Sequence, residues 1–298
     1  MSTGQIYDLG YKRYLGTRRS VATRWTVIMR HQIATAWKSW WRFKVWLVGA
    51  VLVTTVNAVL LYTLGGRTFQ RIGGLGGSIL TRYIDGLLPD STIWYCKAGF
   101  IVSLAISATV VAGDLQSGAF TFYFARSLRP RDYVIGKLAG LGAMLALILL
   151  VGPVVLAGVR LALSDNFDQL IAQLPTVYKA LAVGALGTLI YAAIPLGFSA
   201  LIANRRHAMI LWAAYYLLVG SMGQLLGYAA APAIAAIDLA SALHAVSLHL
   251  FGLHTTGRNP DPPTSAALIS IFGHAALAIG AVVWRVRNAQ QTGVGGSS

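Results

Sequence analysis

Asp238 sits inside an apolar stretch, residues 232–253 (PAIAAIDLASALHAVSLHLFGL), and His244, His249 and His254 recur after it at five-residue intervals. A carboxylate beside imidazoles could relay protons or ligate a metal. The spacing speaks against a metal. Five residues turn a helix by about 500°, so the three rings do not share a face, and no carboxylate cluster accompanies them. No metal site is expected. Asp238 either caps the first short helix of a hairpin formed by this stretch or lines a substrate path. Gly73–Gly77 (GGLGG) has the glycines of a phosphate cradle, but no strand precedes it and no Lys follows, so it reads as a flexible joint. Cys96 is the single cysteine, which excludes an internal disulfide and any multi-Cys metal site. The segment 114–137 (DLQSGAFTFYFARSLRPRDYVIGK) is apolar and aromatic first, then Arg-rich around Pro130, a helix breaker. Such a segment can lie at a membrane surface and present charge to a soluble partner, or simply cap two helices.

The elements that must position these residues follow from composition. The chain has 298 residues, 56% of them hydrophobic and 11% charged, with 24 Lys+Arg against nine acids, all Asp. A soluble domain averages about 25% charged. Apolar residues come in blocks of about 20, the length that crosses a hydrocarbon core of roughly 30 Å. The fold class is therefore an all-α polytopic membrane protein. Six transmembrane segments are predicted, at 43–64, 93–113, 138–160, 176–203, 207–230 and 265–284. With the N-terminus inside, 17 basic residues fall on the inner side and seven elsewhere, which puts both termini in the cytoplasm. The charge is thereby explained by orientation, and no nucleic-acid partner is expected. No secretory signal peptide is expected, since the first 40 residues are polar and basic. All eight Trp (Trp25, Trp37, Trp40, Trp41, Trp46, Trp94, Trp212, Trp284) fall near predicted span ends, as an aromatic belt would.

Residues 232–253 are also long enough to cross. Their nine Ile, Leu, Val or Phe give roughly −3 to −5 kcal/mol on the insertion scale, and a central Asp238 removes about 2.5–3.5. A seventh span would place Arg285 and Arg287 outside and needs a very tight turn at Pro232. A helical hairpin dipping into the outer leaflet is the preferred reading. The domain plan is then 1–42 as cytoplasmic N-terminus and interfacial helix, 43–284 as the six-helix membrane domain with a cytoplasmic loop at 114–137 and an extracytoplasmic hairpin at 231–264, and 285–298 as a cytoplasmic tail.

Two surface elements stand out. From Val21 the apolar residues run Val21, Trp25, Ile28, Met29, Ile33, Ala36, Trp37, Trp40 and Trp41, with Arg24, Arg30, Lys38 and Arg42 among them. This is an amphipathic helix on the inner membrane surface, anchored by Trp25, Trp37, Trp40 and Trp41. In the outer loop, Ile79, Leu80, Tyr83, Ile84, Leu87 and Leu88 suggest a short surface helix. Gly136-x-x-x-Gly140 can permit close helix packing.

The segment after the second span resembles that of permease subunits of type-2 ABC exporters. Asp114, Ser117, Gly118 and Ala119 match the first part of the family pattern, and Ala125, Arg126, Leu128, Arg131, Asp132, Tyr133, Gly136 and Lys137 the second. Ser127 stands where Pro is usual, with Pro130 three residues later, and Asp114 where Glu is common. Residues 7–14 (YDLGYKRY) also have a familiar look for such permeases. The resemblance implies a half-transporter in the prokaryotic plasma membrane. Two permease copies would pair with two separate ATPase subunits, and ATP and Mg would be bound there, with no cofactor on this chain. The loop after span two would be the coupling helix, and Ser117, Gly118, Arg126, Arg129, Arg131 and Asp132 would carry the coupling. No phosphate loop is present in the sequence, so hydrolysis is not expected of this chain. The spans hold almost no charge, which suits a permease powered from outside the membrane better than a proton-driven one. Two other classes remain open: a membrane scaffold that recruits a cytosolic partner through the basic helix, and an intramembrane enzyme using Asp238 and the histidines.

Overall fold

The computed structural model describes residues 21–65, 77–124, 128–253 and 261–291. Residues 1–20, the glycine joint before Gly77, Arg126, His254 and the tail from 292 lie outside them. Among the described residues, six helices are long and apolar enough to cross a membrane. They are span one (Trp40–Leu64), span two (Tyr83–Gln116), span three (Pro130–Ala162), span four (Phe167–Leu201), span five (Arg205–Ala229) and span six (Thr264–Gln291). At 1.5 Å per residue, 25 residues already reach about 38 Å, so every span can project past a hydrocarbon core. The all-α polytopic architecture expected from composition is the one that forms.

Lipid offers backbone and hydroxyl groups no partners, so these helices must satisfy their own. Thr54, Thr63 and Thr188 donate to the carbonyl one turn earlier, and Asn57 does the same through its amide. Spans two, three and four form the centre of the bundle, and span six packs along span four. Spans one and five are the least enclosed. Their outward residues, Val48, Leu52 and Val56 on one and Leu217, Leu218, Met222 and Leu225 on the other, are exposed and apolar.

Three expectations change. The short surface helix predicted near 79–88 is not separate; Gly77–Ile106 is one helix that runs into span two, and Leu87 and Leu88 are buried against the bundle. Pro130 does not break a helix but starts one, at the first position of span three. Its missing N–H and fixed φ are harmless there. Trp212 is not in a belt. It is fully buried among Phe100, Phe198, Tyr215 and Tyr216, and its ring N–H donates to Ser103 at 3.0 Å. A polar atom at one end lets Trp serve in either place, and tertiary packing decides.

Beyond span five the chain makes a 3-10 turn (Pro232–Ile237), then a 13-residue helix (Leu239–Phe251) ended by the left-handed Gly252. Thirteen residues cover about 20 Å, too short to cross. The turn folds back on span five, and the helix packs on spans two, four and six. Connectivity places this hairpin at the end of the bundle opposite residues 114–137.

Candidate functional site

At the basic end of the bundle, span two ends in a glycine stop. Ser117 donates its hydroxyl to the Gly113 carbonyl at 2.9 Å, and Gly118 takes φ +66°. A side chain there would be strained, so the Ser-Gly pair terminates the helix and reverses the chain. A short helix, Ala119–Phe124, follows. Arg129, extended as a residue before proline tends to be, leads into span three. The Asp132 carboxylate accepts the Arg129 N–H at 3.2 Å and puts negative charge at the helix start.

Of the six residues expected to couple, Ser117 and Gly118 thus form a turn and Asp132 is a buried cap. Arg129 and Arg131 project outward. On the short helix that precedes them, Phe122 is 76% exposed. The sequence reading had not singled out Phe122, because aromatic residues fill the whole segment. The other aromatics face inward: Phe120 stacks on Phe124 and packs with Tyr123 and Tyr133. Burial, reinforced by Asp114, pushes the Tyr123 hydroxyl up to about 12, so it stays a neutral donor.

Under this aromatic layer lies an ionic node. Tyr133 donates to Asp114 at 2.7 Å, and the Lys137 ammonium sits 2.9 Å from the same carboxylate. Lys137 is 3% exposed and also reaches the Gln32 side-chain oxygen at 3.3 Å. Three elements meet there: the end of span two, the start of span three and the amphipathic helix Trp25–Lys38. That helix does not merely lie on a surface. Ile28, Gln32 and Ala36 form one buried stripe, and Gly136 and Gly140 let it close on span three. A Cβ at Gly136 would lie 2.7 Å from both Ile28 Cβ and the Trp25 carbonyl oxygen, and one at Gly140 would lie 2.9 Å from Gln32 Cβ. The Gly-x-x-x-Gly signal in the sequence therefore marks a contact with the amphipathic helix. Of the proposed anchors, Trp37, Trp40 and Trp41 are exposed and Trp25 is half-buried. Lys44 stands over the Trp37 and Trp40 rings at about 5.6 and 5.5 Å.

Residues 44–257, well over half of the chain, match the family model described as ABC-2 family transporter protein. The chain belongs to the ABC-2 transporter family. No curated protein matches it. As an ABC-2 transporter permease, the chain is matched from span one through the hairpin, which includes Asp114, Tyr133 and Lys137. The amphipathic helix that supplies Gln32 lies before the match.

The hairpin end of this permease is arranged differently. Asp238 caps the 13-residue helix, accepting Ser241 N–H at 3.1 Å, Ser241 Oγ at 2.6 Å and the Gln224 amide at 2.6 Å. His244 faces Asp90 at 3.1 Å and Asp261 at 4.0 Å, and His249 is exposed. The structure therefore does not gather Asp238 and the described histidines into one site. It brings His274 instead to Tyr215, at 2.7 Å.

Proposed function

We propose that this permease is the membrane half of an ATP-driven exporter, docked to a separate ATPase subunit through residues 114–137. The observation that carries the reading is that Phe122, Arg129 and Arg131 are all exposed in the segment whose Asp114 and Lys137 form the ionic node. An exposed aromatic and two exposed guanidiniums in one segment suit a groove with an acidic rim. Because Phe120 and Tyr123 of the same short helix pack on Tyr133, which is bonded to Asp114, a push on that helix is passed to spans two and three and to the amphipathic helix together. Ser117, Gly118 and Asp132 hold the segment in shape, and Arg126 adds to its charge.

In this reading the basic end is cytoplasmic, both termini lie there, and the membrane is a prokaryotic plasma membrane. ATP and Mg are bound by two copies of the ATPase. A second permease copy covers the apolar faces of spans one and five. ATP binding closes the ATPase pair, tilts spans one to three, and changes access to the path between the two copies.

The test is purification of the tagged chain from its native membrane, followed by transport in inverted vesicles. An ATPase is expected to accompany the chain. Phe122→Asp and the double variant Arg129→Glu/Arg131→Glu should stay in the membrane but lose that subunit and ATP-dependent transport. Transport that survives in both variants, or a chain that purifies without an ATPase, rejects the reading.

A further inference from the structure

A polar cavity of about 240 Å3, the room of roughly eight waters, opens where the amphipathic helix meets the basic ends of spans one, two, three and five. Its charged lining is Arg42, Lys137, Arg205 and Asp114, with His31 and Gln32 beside them. Asp114 is its only carboxylate, and Lys137 neutralises it at 2.9 Å. Arg42 and Arg205 are left uncompensated. Among the described residues neither forms an ion pair, and the closest approach recorded for Arg205 is to the Gly113 carbonyl, at 3.5 Å. Arg205 is nonetheless held in place. It lies so close to Gly113 that a Cβ there would come within 2.4 Å of its Nε.

Two guanidinium forks around a walled cavity match the geometry of a phosphate, which can take paired N–H donors from each. The position fits as well. All four charged residues sit at span ends on one membrane boundary, next to the exposed Trp40 and Trp41, where phosphate-bearing headgroups lie. We propose that this cavity binds a phosphate-bearing anion, whose oxygens bridge Arg42 and Arg205 and so clip the start of span one to span five. This binding is independent of ATPase docking, because none of the exposed docking side chains lines the cavity.

Two sources share this chemistry, an anionic lipid headgroup and soluble phosphate. The experiment follows thermal unfolding of the full chain purified in detergent, with dioctanoyl-phosphatidylglycerol, dioctanoylglycerol or inorganic phosphate titrated in. Wild type is compared with Arg42→Gln, Arg205→Gln and the double variant. Arg287→Gln removes a charge at the same end but outside the cavity. Stabilisation by the anionic lipid alone assigns a headgroup, and stabilisation by phosphate alone assigns a soluble ligand. In either case Arg42→Gln should need roughly tenfold more ligand for the same shift, the double variant should lose the response, and Arg287→Gln should keep it. Arg42 is exposed, so its replacement is compatible with folding and carries the test alone if Arg205→Gln does not fold. The proposal fails if neither anion stabilises the chain. It fails equally if dioctanoylglycerol matches the anionic lipid, or if Arg42→Gln responds as wild type does.

Discussion

At each end of the bundle one aspartate is held by several partners, the partly exposed Asp114 at the basic end and the buried Asp238 at the hairpin end, and the partners differ in kind. Asp114 is answered by a cation: Lys137 at 2.9 Å, with Tyr133 alongside and Gln32 behind. Those partners come from two other elements, and Gln32 is 105 residues from Lys137 in sequence. Asp238 is answered by neutral donors, two of them from Ser241, three residues on. A charged pair across elements is costly to break and costly to desolvate, so it ties segments that must move as one. A cap of neutral donors mainly stabilises its own helix, and here it holds span five only through the Gln224 amide. The basic end is therefore cross-tied among three elements, which is what the proposed coupling requires. The hairpin end is built to hold a short helix at the mouth of the bundle.

The largest test of that contrast is Lys137→Met. It leaves the partly exposed Asp114 carboxylate without its cation, and about 2–4 kcal/mol of stability should be lost, less than for a fully buried pair. The double variant Asp114→Asn/Lys137→Met removes both charges and should recover most of the loss. Thermal unfolding in detergent measures both. If the single variant costs no more than a substitution at Asp238, the two ends do not differ in the way argued. Next in size is Gly136→Ala, which forces a methyl into the 2.7 Å approach of Ile28 and the Trp25 carbonyl. A loss of about 1–3 kcal/mol is expected, together with faster proteolysis of the amphipathic helix while the spans stay protected. Uniform loosening of the whole chain would show instead that the helix is no separable part.

Asp238 is expected to matter less. Asp238→Ala should cost about 0.5–2 kcal/mol, the worth of an N-cap, whereas Asp238→Asn, which caps equally well, should cost little. Hydrogen exchange confined to residues 239–251 reads this directly. A transport defect in the Asn variant at unchanged stability would move Asp238 from the cap to the substrate path.

Much of this was legible in the sequence, and the reasons are physical. Blocks of apolar residues long enough to cross a bilayer leave the chain few alternatives, so the six spans and the hairpin could be read from length and charge alone. Asp114, Tyr133, Gly136 and Lys137 were visible as motif positions. Their joint role was not, because 19 residues separate Asp114 from Tyr133 and a helical turn between them is needed before they touch. Gln32 could not be found at all: a single amide on an amphipathic helix looks like any solvated polar residue until Gly136 and Gly140 bring span three against it. Trp212 was misplaced for a related reason, since proximity to a span end does not say which way an indole faces.

The smallest effect is also the one that tests the contrast most closely, because it lies among charges on the hairpin side. Burial raises the Asp261 carboxyl above its ordinary value of 3.8; His244 pulls it back, and Asp90 pushes it up again. The neutral form is thus favoured in the folded chain. Its contribution to stability is complete below the ordinary value and is lost as pH rises through the raised one. Asp261→Asn fixes a neutral side chain at that place. The variant should therefore match wild type near pH 3.5 and become slightly the more stable of the two as pH is raised toward 7. Unfolding midpoints of both proteins across that range decide it. If the Asn variant were instead the less stable at neutral pH, His244 would be holding Asp261 in its charged form. The hairpin end, where Arg160 of span three already reaches Asp85 and His244 faces Asp90, would then be held by ion pairs between elements throughout, and the contrast drawn from Asp238 would fall.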